Sequence, residues 1–288
     1  MTAKELRQSL RRGSFVMPFL AIHVLALVTM TVEFKTGLPV TNSDYNGMLN
    51  PWLLFGSGPF WQLAAVVCVV IMPLGGFTLM AQELDHGNHE LLILTKLNRW
   101  KIVIGKFLSL WGLSVITFIS LLPYVVLRYF VGGVEWWHEA ACAGTVLGGS
   151  AIIGAGAIGA SAFGGIGARL GILMLHLASM AAVCAAPLFA SAAQTGGCGI
   201  LYHFTAAAAA LACTVVGLAL ARSRLRLDVM PFEVSPSGMM IGLLVFAPFA
   251  VGVITALTVG FGGIVGLLIL AGVAIRLDVT PQLSKPAA

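Results

Sequence analysis

The 288-residue chain is 59% hydrophobic and 9% charged, with a formal net charge of +5 and a mean hydropathy of +0.98. A soluble domain carries charge on about a quarter of its residues, so this chain has too few charges to cover a water-facing surface. Its apolar runs approach the roughly 20 residues that a membrane-crossing helix needs, whereas barrel strands would be about 10 residues of alternating polarity. The expected class is therefore an all-α integral membrane protein, a helical bundle of about eight transmembrane helices forming one domain over residues 1–288.

Residues 1–14 form a cytoplasmic or interfacial segment. Leu6 and Leu10 lie four apart among Lys4, Arg7, Arg11 and Arg12, which suits a short helix in the headgroup region or an ordinary basic tail. The first apolar run, 15–32, follows these bases as a signal peptide's would. It is longer than a typical signal core, and Glu33-Phe34-Lys35 is not a small-residue cleavage site, so it is expected to be a retained helix. Further spans are expected at 60–80, 103–127, 139–163, 170–191, 202–221, 239–257 and 261–275, the last short and glycine-rich.

The connections assign sides. With the N-terminus inside, the inner segments carry fourteen lysines and arginines, and the outer ones only Lys35 and Arg128. Cytoplasmic loops are enriched in Lys and Arg, so both termini are expected in the cytoplasm, and the positive charge needs no nucleic acid to explain it. The outer connection from Glu33 to Pro59 holds a turn-rich "TNSDYNG" and an "NPWLLFG" suited to the membrane surface. Trp136, Trp137 and His138 are expected in the outer aromatic belt.

The fourth run reads "GTVLGGSAIIGAGAIGASAFGGIGAR". Gly144 and Gly148 are four apart, as are Gly156, Ala160 and Gly164, a spacing that lets helix backbones approach closely. The run is expected to be enclosed by neighbours or to form a subunit contact. Five cysteines without a CxxC spacing imply buried thiols rather than a metal site or disulfide framework.

Polar residues concentrate in "QELDHGNHELLILTKLNRWKIVIGK", residues 82–106. Gly87 suits a helix C-terminus and Asn88 can cap a short helix from His89 to Thr95. Glu90 would sit near that helix's positive end. Asn98 can cap a membrane helix that starts at Arg99. Leu91, Leu92, Ile93 and Leu94 exceed what a solvated loop carries, and such patches mark interaction sites. Residues 81–101 thus read as a compact inner elbow.

This elbow resembles the cytoplasmic signature of ABC-2 type ABC transporter permeases, roughly E-x-x-x-G-T-x-E-x-L-x-x-T-P-x-S-R-x-x-I-x-x-G-K. The chain matches at Glu83, Gly87, Glu90, Leu92, Thr95, Arg99, Gly105 and Lys106. It departs at Asn88, Lys96 and Asn98, where Thr, Pro and Ser are usual; the two asparagines keep a capping residue, while Lys96 loses a rigid turn. The resemblance covers about 25 residues, together with the small-residue fourth run ending in "GAR". It implies a six-helix core, with 239–275 as an added C-terminal hairpin, and a membrane-spanning subunit of an ATP-driven exporter in the inner (plasma) membrane. It also implies an elbow built on Glu83, Gly87, Glu90, Leu91, Leu92, Thr95 and Arg99 that docks a separate ABC ATP-binding protein. A homodimer or heterodimer of permease subunits is implied as well. ATP and magnesium would be bound by that partner and no cofactor by this chain, since Trp100 stands where a Walker A motif ending at Gly105-Lys106 needs its first glycine.

Three other readings compete. An ion-coupled secondary transporter needs ionisable groups within the membrane; no Asp or Glu falls in the middle of an expected span, Glu139 lies at an outer edge, and His23 and His176 are the mid-span candidates. A membrane enzyme would draw on His86 and His89 with Glu83, Asp85 and Glu90, but helical zinc pairs sit four apart and Gly87 interrupts the helix. A non-transporting assembly subunit with the permease fold is the third.

Overall fold

A computed structural model describes residues 13–37, 47–84, 98–195, 198–225, 238–257 and 261–276. Every regular element among them is helical. α1 (Gly13–Thr36) is followed by the short α2 (Pro51–Gly56) and then by a composite rod. The rod runs through α3 (Pro59–Ala64), a π-helical stretch (Ala65–Ile71), α4 (Met72–Leu74), a 3-10 turn (Gly75–Thr78) and α5 (Leu79–Leu84). Then come α6 (Arg99–Gly132), α7 (Trp136–Ser161), α8 (Ile166–Thr195), α9 (Ile200–Arg224), α10 (Gly238–Leu257) and α11 (Phe261–Arg276).

Six of these stretches are long and apolar enough to cross a membrane: Phe19–Thr36, Pro59–Ala81, Arg99–Gly132, Trp136–Ser161, Ile166–Ala185 and Ile200–Arg224. The chain is thus built as a multi-pass helical membrane protein. The seventh and eighth expected spans appear as α10 and α11, and α11 has only 16 residues. At 1.5 Å per residue that is about 24 Å, short of a hydrocarbon core of about 30 Å. The hairpin is no appendage: α10 packs on α8, and α11 on α9. Leu244, Leu267, Leu270, Ala271 and Ala274 join one buried cluster with Val216, Ala219 and Leu220 of α9.

The composite rod follows from "IMPLGGFT". Pro73 has no N–H, and its ring would strike the carbonyl four residues back in a regular α-helix. The preceding turn widens instead, with the Met72 N–H reaching Val67 O, five residues away; such π-bulges absorb a local misfit. Gly75 and Gly76 then tighten the chain. A Cβ on Gly76 would lie 2.7 Å from Leu110 and 3.1 Å from Ile158, so glycine is what lets the rod touch both α6 and α7.

α7 is the hub. It contributes Ala141, Cys142 and Val146 to one buried cluster, Ile152 to a second, and Ala155 and Ile158 to a third. The best 18-residue windows of α7 and α9 are each 61% buried, against 17–33% for the other five-turn helices, so these two form the axis of the bundle. Their contact is nearly backbone to backbone: a Cβ on Gly159 would lie 2.6 Å from Gly217 O, and one on Gly217 would lie 2.7 Å from the carbonyl carbon of Ala155.

Candidate functional site

The elbow is described only at its edges. α5 carries the chain through Leu84, which places the Glu83 backbone at a helix end. Gly87, Glu90, Leu91, Leu92 and Thr95 lie outside the described residues, as do His86 and His89 and the segment 1–12. On the far side the expected helix start is present: α6 begins at Arg99, and the Asn98 side chain accepts a hydrogen bond from the Trp100 N–H at 3.1 Å. Beside it, the Arg222 guanidinium lies 4.8 Å from the Trp100 ring centre and its Nη1 donates to Ile275 O. Arg224 lies 4.8 Å over Phe163, whose carbonyl accepts from Arg169 Nε.

The small-residue stripe divides in the structure. A Cβ on Gly144 would meet Met48 at 2.6 Å, and one on Gly148 would meet Leu49 at 2.9 Å. A Cβ on Gly156 would run into the His176 ring, and Ala160 is fully buried. Gly164 corrects the expectation. α7 ends at Ser161 and Gly164 sits exposed in the bend beyond it, because Ala162 and Phe163 turn back to bond Gly159 and Ala160. The closest approach belongs instead to Gly159 and Gly217, a pair that spacing within one helix cannot reveal.

The cluster with the most chemistry lies at the opposite end from Asn98 and Arg224. Glu33, Arg128 and Glu139 are 2%, 1% and 1% exposed. Each is about one turn from a helix end: Glu33 near the C-terminus of α1, Arg128 near that of α6, and Glu139 in the first turn of α7. Arg128 Nη1 pairs with Glu33 Oε2 at 2.6 Å. Its Nη2 donates to Ser57 O at 2.8 Å and stands 3.4 Å from Glu139 Oε1. The other Glu33 oxygen accepts from the Phe60 N–H at 2.8 Å. Trp61 Nε1 is divided between the two oxygens of Glu139 at 3.3 and 3.2 Å. The Phe60 ring lies under the guanidinium, 5.5 Å away.

A polar extension surrounds this core. Ser57 Oγ lies 2.8 Å from His138 Nε2 and 3.3 Å from Cys142 Sγ, and bonds back to Leu53 O. His138 therefore corrects a second expectation. Trp136 and Trp137 are exposed as a belt would be, but His138 is buried and tied to Ser57. The Pro51–Gly56 helix is held above the cluster by its own amphipathicity, with Leu53 and Leu54 buried and Trp52 and Phe55 exposed. Asn50 caps it through the Trp52 N–H. A positive φ of 103° at Gly58 lets the chain turn over Glu33 Oε1, where a Cβ would lie at 2.6 Å. A cleft of about 210 Å³ opens onto the pair, lined by Glu33, Phe34, Gly37, Arg128, Val131, Gly132 and Val134.

Sequence reasoning placed Glu33 and Arg128 in outer loops because it ended the first span at Val32 and the third at Leu127. The signal was nonetheless present. Arg128 was one of only two bases on the wrong side of the charge asymmetry, and Glu33 and Glu139 were acids at the same level. Among the other candidates, His176 is buried between α7 and α8, with Nε2 3.4 Å from Ile152 O and no partner for Nδ1. His23 lies against Phe19 and Tyr124. The five cysteines are free thiols; Cys198, in the loop before α9, is packed against Gly47, and burial pushes its thiol up. No family model matches this chain, and no curated protein or solved structure matches it either.

Proposed function

We propose that this chain is the membrane-spanning permease subunit of an ATP-driven ABC exporter, docked through residues 81–101 to a separate ATP-binding protein. In this reading it crosses the inner membrane eight times, with both ends in the cytoplasm, and pairs with a second permease subunit. The observation that carries it is the residue order of the elbow, Glu83-x-x-x-Gly87-x-x-Glu90 through Arg99 to Gly105-Lys106. The Asn98 cap supports it, because a side-chain cap starts α6 at the arginine of that signature. Six long apolar helices are consistent with the permease core. ATP and magnesium then belong to the partner, and this chain converts the partner's motion into rearrangement of the helices.

A direct test is recovery of the partner. An ABC ATP-binding protein from the same genome would be co-expressed with wild type, Glu90→Lys or Gly87→Val, at equal membrane levels. The first variant reverses a charge near a helix start; the second blocks the left-handed conformation a glycine break uses. Both should insert normally and lose the co-purifying ATPase. Equal recovery with unchanged stimulated ATP hydrolysis would return the elbow to the status of a solvated loop.

One observation favours a second reading, an ion-coupled carrier. No acid lies in the middle of a span, but Glu33 and Glu139, about one turn from helix ends, are buried. Intramembrane ionisable groups mark ion and proton paths by default. Transport that persists without ATP but follows an imposed ion gradient would favour this reading.

A further inference from the structure

The buried cluster at the α2 end does not balance its charge. Among the described residues it holds two carboxylates, Glu33 and Glu139, and one guanidinium, Arg128. Its other titratable neighbours are His138 and Cys142 on α7, with Glu135 exposed at the α7 start. A surplus negative charge on buried side chains is costly unless a cation or a proton neutralises it.

The geometry separates the two acids. Glu33 is held at 2.6 Å by Arg128 and at 2.8 Å by the Phe60 N–H, distances typical of charge-assisted bonds to an ionised carboxylate. Glu139 has only long contacts, 3.2 to 3.4 Å, two of them from a single Trp61 N–H shared between its oxygens. Arg128 has turned its Nη2 to the Ser57 carbonyl at 2.8 Å in preference to Glu139, and its Nε has no partner. Arg128 thus holds the Ser57 carbonyl more closely than it holds Glu139.

We propose that Glu139 is a proton-binding residue, carried as the neutral acid in this conformation, and that Arg128 reads its protonation by choosing between Ser57 and Glu139. When Glu139 gives up its proton, Nη2 is drawn from the Ser57 carbonyl to the new carboxylate, and the turn that leads from α2 into α3 loses its tie to α6. The cleft reaches Glu33 and Arg128, and among the described residues Glu139 is not part of its lining. The proposal does not depend on whether the chain is an ABC permease or an ion-coupled carrier.

The test is infrared spectroscopy of the purified full-length protein in lipid, reading the C=O stretch of protonated carboxyl groups at neutral pH. Wild type should show such a band, and raising the pH should remove it reversibly. Glu139→Gln should lose the band yet keep the wild-type melting temperature, because the amide imitates the neutral acid. Glu33→Gln should also lose it, since Glu139 then becomes the only carboxylate for Arg128, and it should melt earlier. A wild-type spectrum without the band would overturn the proposal. So would a band that survives Glu139→Gln, or a Glu139→Gln protein that fails to fold or melts as early as Glu33→Gln.

Discussion

At one end of the bundle Arg128 is gripped by a carboxylate at 2.6 Å and a carbonyl at 2.8 Å; at the other, Arg222 and Arg224 lie over the faces of Trp100 and Phe163, each at 4.8 Å. Both ends bring cations into an apolar bundle, by different physics. The α2 end uses directional, short, buried contacts, which are strong together and costly when one member is missing. The Asn98 end sets ring faces beside the Arg222 bond to the Ile275 carbonyl, and the attraction of a ring face is shallow and tolerant of position. An end built the first way holds one geometry. An end built the second way can shift without leaving a bare charge behind.

The comparison can be broken at its midpoint. Gly217 sits where α7 and α9 touch through their backbones, so Gly217→Leu should separate the axis and damage both ends equally. We expect the largest effect here, above about 4 kcal/mol, read as loss of folded protein in membranes. If Gly217→Leu accumulates normally, the two ends are not joined through this contact.

Arg128→Met comes next and should damage the α2 end alone. It strips the buried Glu33 of its partner, a loss of about 3–5 kcal/mol. Thermal unfolding in detergent would measure it, and a cysteine reporter near Trp52 should become more reactive while one near Lys101 does not. Arg128→Lys should rescue little, because an ammonium cannot bridge Glu33 and Ser57 as a fork does.

Two smaller changes probe the other end. Asn98→Ala removes the side-chain cap of α6 and should cost about 1 kcal/mol, seen as faster amide exchange over Arg99 to Ile102. Trp100→Leu removes the ring beneath Arg222 and should cost about 0.5–1 kcal/mol, a small fall in melting temperature. A Trp100→Leu loss as large as that of Arg128→Met would show that the ring contact is not the tolerant one described above.

The spans were legible because hydropathy is a local property. Each expected apolar run is helical among the described residues, and Asn98 starts α6 where its capping chemistry said it would. The ends were less legible: α1 runs to Thr36 and α6 to Gly132, past the ends expected at Val32 and Leu127, since Glu33 and Arg128 neutralise each other and so allow the helices to continue. That pairing joins residues far apart in the chain, and nothing local in either segment announces it. The glycine stripe was half legible for the same reason. Spacing identified Gly156 as a small face, but the partner that makes Gly159 matter is Gly217, on another helix. Gly164 failed because the stripe's period outran the helix.

Glu33 and Arg128 are 95 residues apart, and that separation is also an interval of time. At roughly 5–20 residues per second, the ribosome makes Glu33 about 5–20 seconds before Arg128. During that wait the first helix holds an acid whose partner does not yet exist. Its place one turn from the helix end keeps that carboxylate near the end of the span until α6 is made. The salt bridge can therefore form only after the third of the long apolar helices has been made.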